Sequence, residues 1–499
     1  MNFVQSDFWW KLIGLGLPLT SFRMGMIYLG LWRSFFDRVS LLIFSLILFW
    51  YLSPLSFSIL LVEGIVSYQV IRFLQRQINC NETSGVLVVS VDEFDQVTSK
   101  SNRSSLLILW TGVFILLFIL AGFKYLQPTE IAKIFPTLAG FLISLKVGMV
   151  PVGLSFHTFQ MIASMVDAYR ERLTKPIRIV DYANFVFLFP QAASGPIERW
   201  SQLGNQLTKF QFSAKQFEVG LCWITLGLFM KLVLADNLMR YTKAPIADLN
   251  NAWCILIYAL IYGMRLYFDF AGYSFIALGL GKTIGIDLEL NFLAPYSAIN
   301  IQDFWRRWNV TLTTWFRDYL FVPLGGSRVP WVYCNIFAVF LASGIWHGSG
   351  LNYLLWGVYH GILMIGHRLW SQYWLSKLQL TPWIGRLLTW LVVIPGWIFF
   401  IESDPKRLTT IGKTLMNLAS YSADNFQLES GILTLESPFF LYISIGLSSL
   451  VLIVESCSIR LKKDTPYDLF ITPKVSLVLL GLVILLANRD PGQFMYFSF

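Results

Sequence analysis

Charged residues are scarce in this sequence of 499 residues: they make up 13%, whereas hydrophobic residues make up 56%. Soluble domains carry roughly 25% charged residues, so the composition excludes an ordinary soluble domain. The charges that are present lie between long apolar runs, as expected of loops that connect membrane-spanning helices. We therefore predict an all-α polytopic membrane protein.

Cysteine and histidine are also rare, with five and four residues respectively. The cysteines lie far apart and never form a CxxC pair, so they indicate neither a zinc site nor a disulfide framework. His360 and His367 lie seven residues apart, too far to share one zinc ion, and we expect packing or interfacial roles for both. The sequence contains neither an HExxH motif nor a GxSxG motif. We therefore expect chemistry without a metal ion or a nucleophilic serine.

Basic residues outnumber acidic residues, 38 to 29, so the net charge is +9. The basic residues are spread over nearly every connection, without the dense basic block and interleaved aromatic residues of a nucleic-acid-binding surface. Lipid headgroups attract such positive charge. The partner that this charge indicates is the lipid bilayer, and we expect no nucleic acid.

Long apolar runs dominate the chain, and a spanning helix needs about twenty such residues. They lie at 39–52, 54–74, 105–126, 136–165, 183–197, 219–239, 252–271, 332–346, 351–370, 383–401, 437–455 and 472–488. Glycine and proline interrupt several of them, which is tolerated where the backbone lines a cavity. We predict about ten or eleven transmembrane helices, with re-entrant or interfacial helices around a central polar cavity. The expected organisation is an N-terminal interfacial segment, 1–38, and one membrane domain, 39–499, with its core motifs within 151–350.

His347 is an ionisable residue inside the apolar stretch 341–361. Such a residue at membrane depth costs several kcal/mol unless it is buried in protein or lies beside water, which makes it a functional candidate. The glycines around it leave room for a ligand or a second backbone. A structural histidine, hydrogen-bonded within a polytopic core, explains the position equally well.

The segment 300–328 combines aromatic residues at spacings near 3.6 with several charges, which predicts an amphipathic helix with its aromatic face inward. A histidine base can take a proton from a hydroxyl that attacks a carbonyl, and an amide such as that of Asn309 can stabilise the resulting oxyanion. Arg306, Arg307 and Arg317 are candidates to bind the phosphates of an anionic donor such as coenzyme A, or equally of lipid headgroups.

Five motifs occur in the order found in membrane-bound O-acyltransferases, and they most resemble the bacterial branch that includes the alginate O-acetylation membrane protein. They are PVGLSFHTFQ (151–160), FLFPQAASGPIER (187–199), FDFAGYSFIALGLG (268–281), DFWRRWNVTLTTWFRDYLFVPLGG (303–326) and SGIWHG (343–348). The last two together are highly specific. The resemblance extends over roughly residues 40–499, and the aromatic ending at 496–499 is similar to that of the same branch.

The resemblance implies that His347 is the catalytic histidine and that Asn309 occupies the second catalytic position, where members of this branch usually carry histidine. It also implies substrate contacts for a set of further residues: Trp305, Arg306, Arg307, Arg317, Asp269, Tyr273, Ser274 and Trp346. For Asp269 the alternative is an ion pair with Arg265, four residues earlier on the same helix face. Phe275 stands where relatives carry an acid, and His157 stands where an aromatic residue is typical.

The function that this resemblance implies is transfer of an acyl group, most simply acetyl, to a hydroxyl of an envelope or exported polysaccharide. The implied donor is acetyl-CoA or another thioester, and the implied location is the inner cell membrane. A periplasmic esterase-like acyltransferase often accompanies members of this branch. The alternatives are a non-enzymatic transporter of polysaccharide or lipid-linked sugar, and acylation of teichoic acid or peptidoglycan.

Overall fold

Long apolar helices make up most of the protein. The computed structural model describes residues 6–28, 34–83, 103–125, 151, 153–173, 175–191, 195–209, 213–242, 245–373, 381–422, 438–488, 492 and 494–495. This part of the chain contains no β-strand. The protein is thus an all-α polytopic membrane protein, as the composition predicted.

Six helical segments within the described residues are long and apolar enough to cross a membrane. They are Pro54–Gln77, Arg103–Tyr125, Ala214–Thr242, Ala252–Thr283, Pro382–Ile401 and Phe439–Arg460. Val332–His347 and Pro473–Leu486 are apolar but shorter. The total of about ten or eleven spans stays a prediction.

The chain forms two compact units, 1–212 with 284–288 and 213–283 with 289–499. The helices of the first unit are α1 (Ser6–Tyr28), α2 (Ser34–Leu52), α3 (Pro54–Thr83), α4 (Arg103–Tyr125), α5 (Leu154–Tyr169), α6 (Ile179–Val186) and α7 (Trp200–Lys209), with a 3₁₀ turn at Phe189–Gln191. The boundary at residue 38, between the N-terminal interfacial segment and the membrane domain, stays a prediction.

The second unit holds most of the predicted site residues. Its α-helices are α8 (Ala214–Leu228), α9 (Asp236–Met239), α10 (Ala252–Thr283), α11 (Ile301–Trp305), α12 (Val310–Phe316), α13 (Val332–His347), α14 (Leu351–Tyr373), α15 (Pro382–Val393), α16 (Ile398–Ile401), α17 (Pro405–Met416), α18 (Pro438–Arg460) and α19 (Pro473–Leu486). Phe229–Ala235 and Arg317–Phe321 are π-helical. Short 3₁₀ turns lie at Arg240–Thr242, Ile246–Asp248, Pro295–Ser297, Ile394–Trp397 and Leu418–Tyr421.

Two predicted apolar spans differ from the observed helices in the first unit. The apolar run at 183–197 does not form one spanning helix, because α6 ends at Val186 and a short 3₁₀ turn lies at Phe189–Gln191. Within the span predicted at 136–165, α5 begins after Gly153, which has a left-handed φ of 76°. Residues 136–150 lie outside the described part of the chain. Gly153 therefore sets the start of α5, as its permissive backbone allows.

Buried polar contacts join the helices of the first unit. Arg38 of α2 pairs with Asp181 of α6 at 3.0 Å. The Thr158 hydroxyl of α5 donates to the Glu63 carboxylate of α3 at 3.0 Å. His157, next to Thr158, lies in the interior and packs against the Phe49 ring, with 6.1 Å between the ring centroids. These polar side chains link helices, as is common where no water competes for hydrogen bonds.

Paired glycines bring α8 and α10 into backbone contact in the second unit. A Cβ atom added at Gly227 would lie 2.6 Å from the carbonyl oxygen of Gly272, and one added at Gly220 would lie 2.7 Å from that of Gly279. The reverse approaches, from Gly272 and Gly279, are equally close, at 2.8 and 2.6 Å. Small residues are what allow membrane helices to approach this closely.

Gly227→Ala should lower stability by about 1–3 kcal/mol, because the new methyl group overlaps a backbone carbonyl that has nowhere to move. The measurement is the thermal unfolding of detergent-solubilised protein, followed by size-exclusion chromatography. Gly481→Ala in α19 is the matched control, since a Cβ there meets no atom within 4 Å. Equal unfolding temperatures for the two variants would contradict the backbone contact.

Candidate active site

His347 is the last residue of α13, and 8% of its surface is exposed. Four aromatic side chains surround its ring. The ring centroids of Trp346, Trp356 and Phe400 each lie 5.0 Å from that of His347, and the Tyr353 centroid lies 6.4 Å away. The imidazole is therefore held among flat apolar faces contributed by α13, α14 and α16.

Glycine contacts between α13 and α14 place these aromatic residues. A Cβ atom at Gly344 would collide with the carbonyl oxygen of Tyr353, and one at Gly357 would lie 2.6 Å from the carbonyl oxygen of Phe340. Of the two uses predicted for the glycines around His347, the structure shows the close approach of a second backbone. This approach brings α14 and its residue Trp356 against the His347 ring.

Asn352 fixes the position of α16, the helix that contributes Phe400 to the site. Its side-chain amide donates to the carbonyl oxygen of Phe399 at 2.8 Å and is 2% exposed. Phe400, the next residue along the chain, packs on His347. Because a buried amide is costly to leave without a partner, this bond ties the start of α14 to α16.

Asn309 lies in a turn between α11 and α12, with a left-handed φ of 43°. The segment 300–328 is therefore not one continuous amphipathic helix, and that prediction is wrong. A residue outside the segment stabilises this turn, because the backbone N–H of Val310 donates to the Asn291 carbonyl oxygen at 2.8 Å. Asn309 is 3% exposed, and within the described part of the chain its Oδ1 atom accepts no hydrogen bond.

A continuous series of ring contacts joins the turn of Asn309 to His347. Trp308, next to Asn309, packs on Trp397 with 4.8 Å between the ring centroids. Trp397 contacts Phe400 at 6.0 Å, and Phe400 contacts His347 at 5.0 Å. The structure thus connects His347 to Trp308, the neighbour of Asn309, through one series of aromatic rings.

Trp305 belongs to the same cluster. Its ring lies 5.5 Å from Trp356 and 4.9 Å from His360, which is 1% exposed. His360 therefore packs among aromatic rings beside the site. His367 lies two turns further along α14, where the Ser371 hydroxyl donates to its backbone carbonyl at 2.8 Å.

The three arginines predicted to bind a donor have different environments. The Arg307 guanidinium pairs with Asp303 at 2.8 Å and donates to the Leu293 carbonyl oxygen at 3.2 Å, so it stabilises the turn. Arg306 is exposed. The Arg317 side chain is 59% exposed and pairs with Asp318 at 2.7 Å. Arg306 and Arg317 are therefore the accessible members of these three arginines.

Asp269 does not form the predicted pair with Arg265. Its carboxylate pairs instead with Lys231 at 2.8 Å and accepts the backbone N–H of Met495 at 2.8 Å. Arg265 donates to the Thr242 hydroxyl at 3.0 Å. Intrahelical spacing predicted a partner on α10, whereas the observed partner comes from the π-helical segment Phe229–Ala235.

Lys231 is the centre of this buried charge cluster. Its ammonium group also lies 2.6 Å from Asp236 and donates to the Gly492 carbonyl oxygen at 3.1 Å. All three charged side chains are 2% exposed or less. Tyr273 packs on Phe494 at 4.1 Å, and Ser274 is 1% exposed. Asp269, Tyr273 and Ser274 thus all lie in the interior, and their contact with substrate stays a prediction.

Several residues of the site were missed by the sequence reasoning. Trp356 and Phe400 contact His347. Both lie in apolar runs, where one aromatic residue among many does not indicate a functional site. Lys231 and Glu455 did carry a signal, since each is an ionisable residue inside an apolar run. That criterion singled out His347 and applies equally to them.

Comparison with known proteins agrees with the motif resemblance. The sequence model of the membrane-bound O-acyltransferase family matches residues 88–403. The chain is 32% identical over 401 residues to the peptidoglycan O-acetyltransferase of Helicobacter pylori, an alignment that covers 70% of this chain and 75% of that protein.

Two other relatives match over shorter stretches. The probable alginate O-acetylase AlgI of Pseudomonas aeruginosa is 36% identical over 259 residues, which is 50% of this chain and 49% of that protein. The teichoic acid D-alanyltransferase of Bacillus subtilis is 29% identical over 269 residues, which is 50% of this chain and 68% of that protein. The chain therefore belongs to the membrane-bound O-acyltransferase family and is a multi-pass membrane O-acyltransferase.

Proposed function

We propose that this protein transfers an acetyl group from a thioester donor to a hydroxyl of an envelope or exported polysaccharide, in the inner cell membrane. The observation that carries the proposal is the buried His347 imidazole, held by aromatic rings and linked through them to the turn of Asn309. The named acceptors of the relatives are peptidoglycan, alginate and teichoic acid. The first two of these names specify an acetyl group.

In the proposed reaction His347 acts as general base. It takes the proton of the acceptor hydroxyl while that oxygen forms a bond to the thioester carbonyl carbon. The tetrahedral intermediate then expels the thiolate as the C–S bond breaks, and the proton on His347 passes to that sulfur. The products are the ester and the free thiol, and the imidazole returns to its starting state.

Asn309 is proposed to stabilise the oxyanion of that intermediate. A preorganised donor is effective because it costs no reorganisation when the charge develops. The turn fixes the Asn309 backbone through the Val310 N–H. The donor in the proposed role is the side-chain N–H of Asn309, because an oxyanion accepts hydrogen bonds.

Acetyl-CoA is the proposed donor. Arg306 and Arg317 are exposed cations of the segment 300–328 and suit its phosphates. Trp305 and Trp346 belong to the aromatic cluster around His347. A periplasmic esterase-like acyltransferase is the proposed partner.

Deletion of the gene should lower alkali-labile acetate on the envelope or exported polysaccharide to background, and the wild-type gene should restore it. Acetate is measured separately on peptidoglycan and on exported polymer, so that the acceptor is identified. Isolated membranes should transfer label from acetyl-CoA to polymer only when the protein is present. Unchanged acetate with reduced polymer export would favour a transporter and refute the proposal.

A further inference from the structure

We infer that Glu455 is a positioning residue for the turn that carries Asn309, and that it acts through Tyr267 and Tyr467. The hydrogen bonds that connect Glu455 to the turn are observed in the structure, whatever reaction the protein catalyses. The consequence for catalysis rests on the role proposed above for Asn309.

Glu455 lies in α18 with none of its surface exposed. Its Oε1 atom accepts a hydrogen bond of 2.7 Å from the hydroxyl of Tyr267 in α10. A carboxyl group inside an apolar span is costly and is retained where it has a function. Here the carboxyl group connects two candidate membrane spans.

The hydrogen bonds continue from Tyr267 to the loop before α11. The Tyr267 and Tyr467 hydroxyl oxygens lie 3.1 Å apart, and the backbone N–H of Ala294 donates to the Tyr467 hydroxyl at 3.1 Å. Each hydroxyl has one proton to donate. Since Tyr267 donates to Glu455, Tyr467 donates to Tyr267, and Glu455 is the final acceptor of the series.

Ala294 needs such a restraint because its φ of 52° is left-handed. Alanine has no polar side chain with which to stabilise that conformation locally, unlike asparagine or aspartate. A tertiary hydrogen bond to its N–H group therefore holds the backbone in place.

The Ala294 loop in turn holds the turn of Asn309. The N–H of Leu293 donates to the Arg307 carbonyl oxygen at 2.9 Å, and the N–H of Val310 donates to the Asn291 carbonyl oxygen at 2.8 Å. These two bonds lie on either side of Asn309. Loss of the Glu455 acceptor should therefore loosen the segment 291–310 at both of its attachments.

The test compares Glu455→Leu, which has no acceptor, with Glu455→Gln, which keeps an acceptor oxygen at the same place. In the leucine variant we expect faster hydrogen–deuterium exchange of the amides in 291–310. We also expect an apparent kcat for acetyl transfer from acetyl-CoA that is about tenfold lower, the equivalent of one hydrogen bond, with an unchanged KM. The glutamine variant should resemble wild type in all three measurements.

Tyr467→Phe breaks the same series of hydrogen bonds without changing the membrane span that contains Glu455. It therefore tests the inference if the Glu455→Leu variant does not accumulate in the membrane. It should give the same faster exchange and lower kcat. Tyr421→Phe is the matched control, because it loses one hydroxyl hydrogen bond, to the Leu415 carbonyl oxygen at 3.0 Å, elsewhere in the same unit. Neither the exchange of 291–310 nor the kcat should change in it.

Two results would overturn the inference: wild-type exchange of 291–310 in both Glu455→Leu and Tyr467→Phe, or a glutamine variant that behaves like the leucine variant. Asn309→Gly separates this inference from the proposed function, since glycine tolerates the left-handed turn but has no amide side chain. If Asn309→Gly keeps full kcat while Glu455→Leu speeds exchange, the positioning stands and the role of Asn309 in catalysis fails.

Discussion

Replacing His347 with alanine should lower acyl transfer by about 10²–10⁴-fold while the protein still accumulates in the membrane. The loss arises because no group remains to take the proton from the attacking hydroxyl. The measurement is label transferred from acetyl-CoA to polymer by isolated membranes, at matched protein levels. His347→Gln, which fills more of the space among the aromatic rings, should show the same loss.

His367→Ala is the matched control for this experiment. It removes a histidine from the same unit, at a position where the described hydrogen bonds are to Ser371 of its own helix. Its transfer activity should stay near that of wild type. Full activity in the folded His347→Ala variant would remove His347 from the chemistry, whatever the control shows.

Lys231→Met should destabilise the protein by about 3–5 kcal/mol, because it leaves two buried carboxylates without their shared cation. Lys231 is 1% exposed and contacts both Asp236 and Asp269. The substitution should therefore reduce folded protein in the membrane and lower its unfolding temperature. Size-exclusion chromatography after heating measures both effects.

Two further variants test whether the loss of stability comes from the unpaired carboxylates. Lys413→Met, at an exposed position of α17, should leave the unfolding temperature unchanged. Combining Lys231→Met with Asp236→Asn and Asp269→Asn removes the unpaired charges and should recover part of the lost stability. A single Lys231→Met variant as stable as wild type would show that the cluster contributes little to folding.

The position of most apolar helices could be predicted from the sequence, because hydrophobic length alone determines where a chain can span a membrane. The apolar run at 252–271 and the run at 351–370 both lie within observed helices, α10 and α14. The run at 183–197 forms no single helix, because Pro190 has no backbone N–H and its ring would clash with the carbonyl of Val186, where α6 ends. There, apolar residues fill the interior without forming a span.

The turn at Asn309 shows what periodicity does not predict. The aromatic residues of 300–328 do lie inward, and Trp305, Trp308 and Trp315 are all buried. Their spacing suits a continuous helix, but Asn309 takes a left-handed conformation because the distant Asn291 carbonyl accepts the Val310 N–H. A contact between residues far apart in sequence overrides the local preference.

The same limit applies to the charges. Asp269 was assigned to Arg265 by intrahelical spacing, yet its cation, Lys231, lies on another segment. For His347, the predictive signal is an ionisable residue in an apolar run, and its catalytic role stays a prediction. The aromatic residues that surround it depend on how α13, α14 and α16 pack, which one sequence does not reveal.

The π-helical segment Phe229–Ala235 has a consequence for which changes in chain length the protein tolerates. In an α-helix, residues five apart point about 140° away from each other, since each residue turns the helix by about 100°. Lys231 and Asp236 are five apart, and the wider i→i+5 turn brings them to the same side. Deleting one of the residues 232–235 would restore an ordinary helix in which Lys231 and Asp236 stand four apart, and residues four apart share a face of an α-helix. The pairing of Lys231 with Asp236 therefore survives the loss of one residue between them, so the identity of these two residues constrains the segment more than its length does.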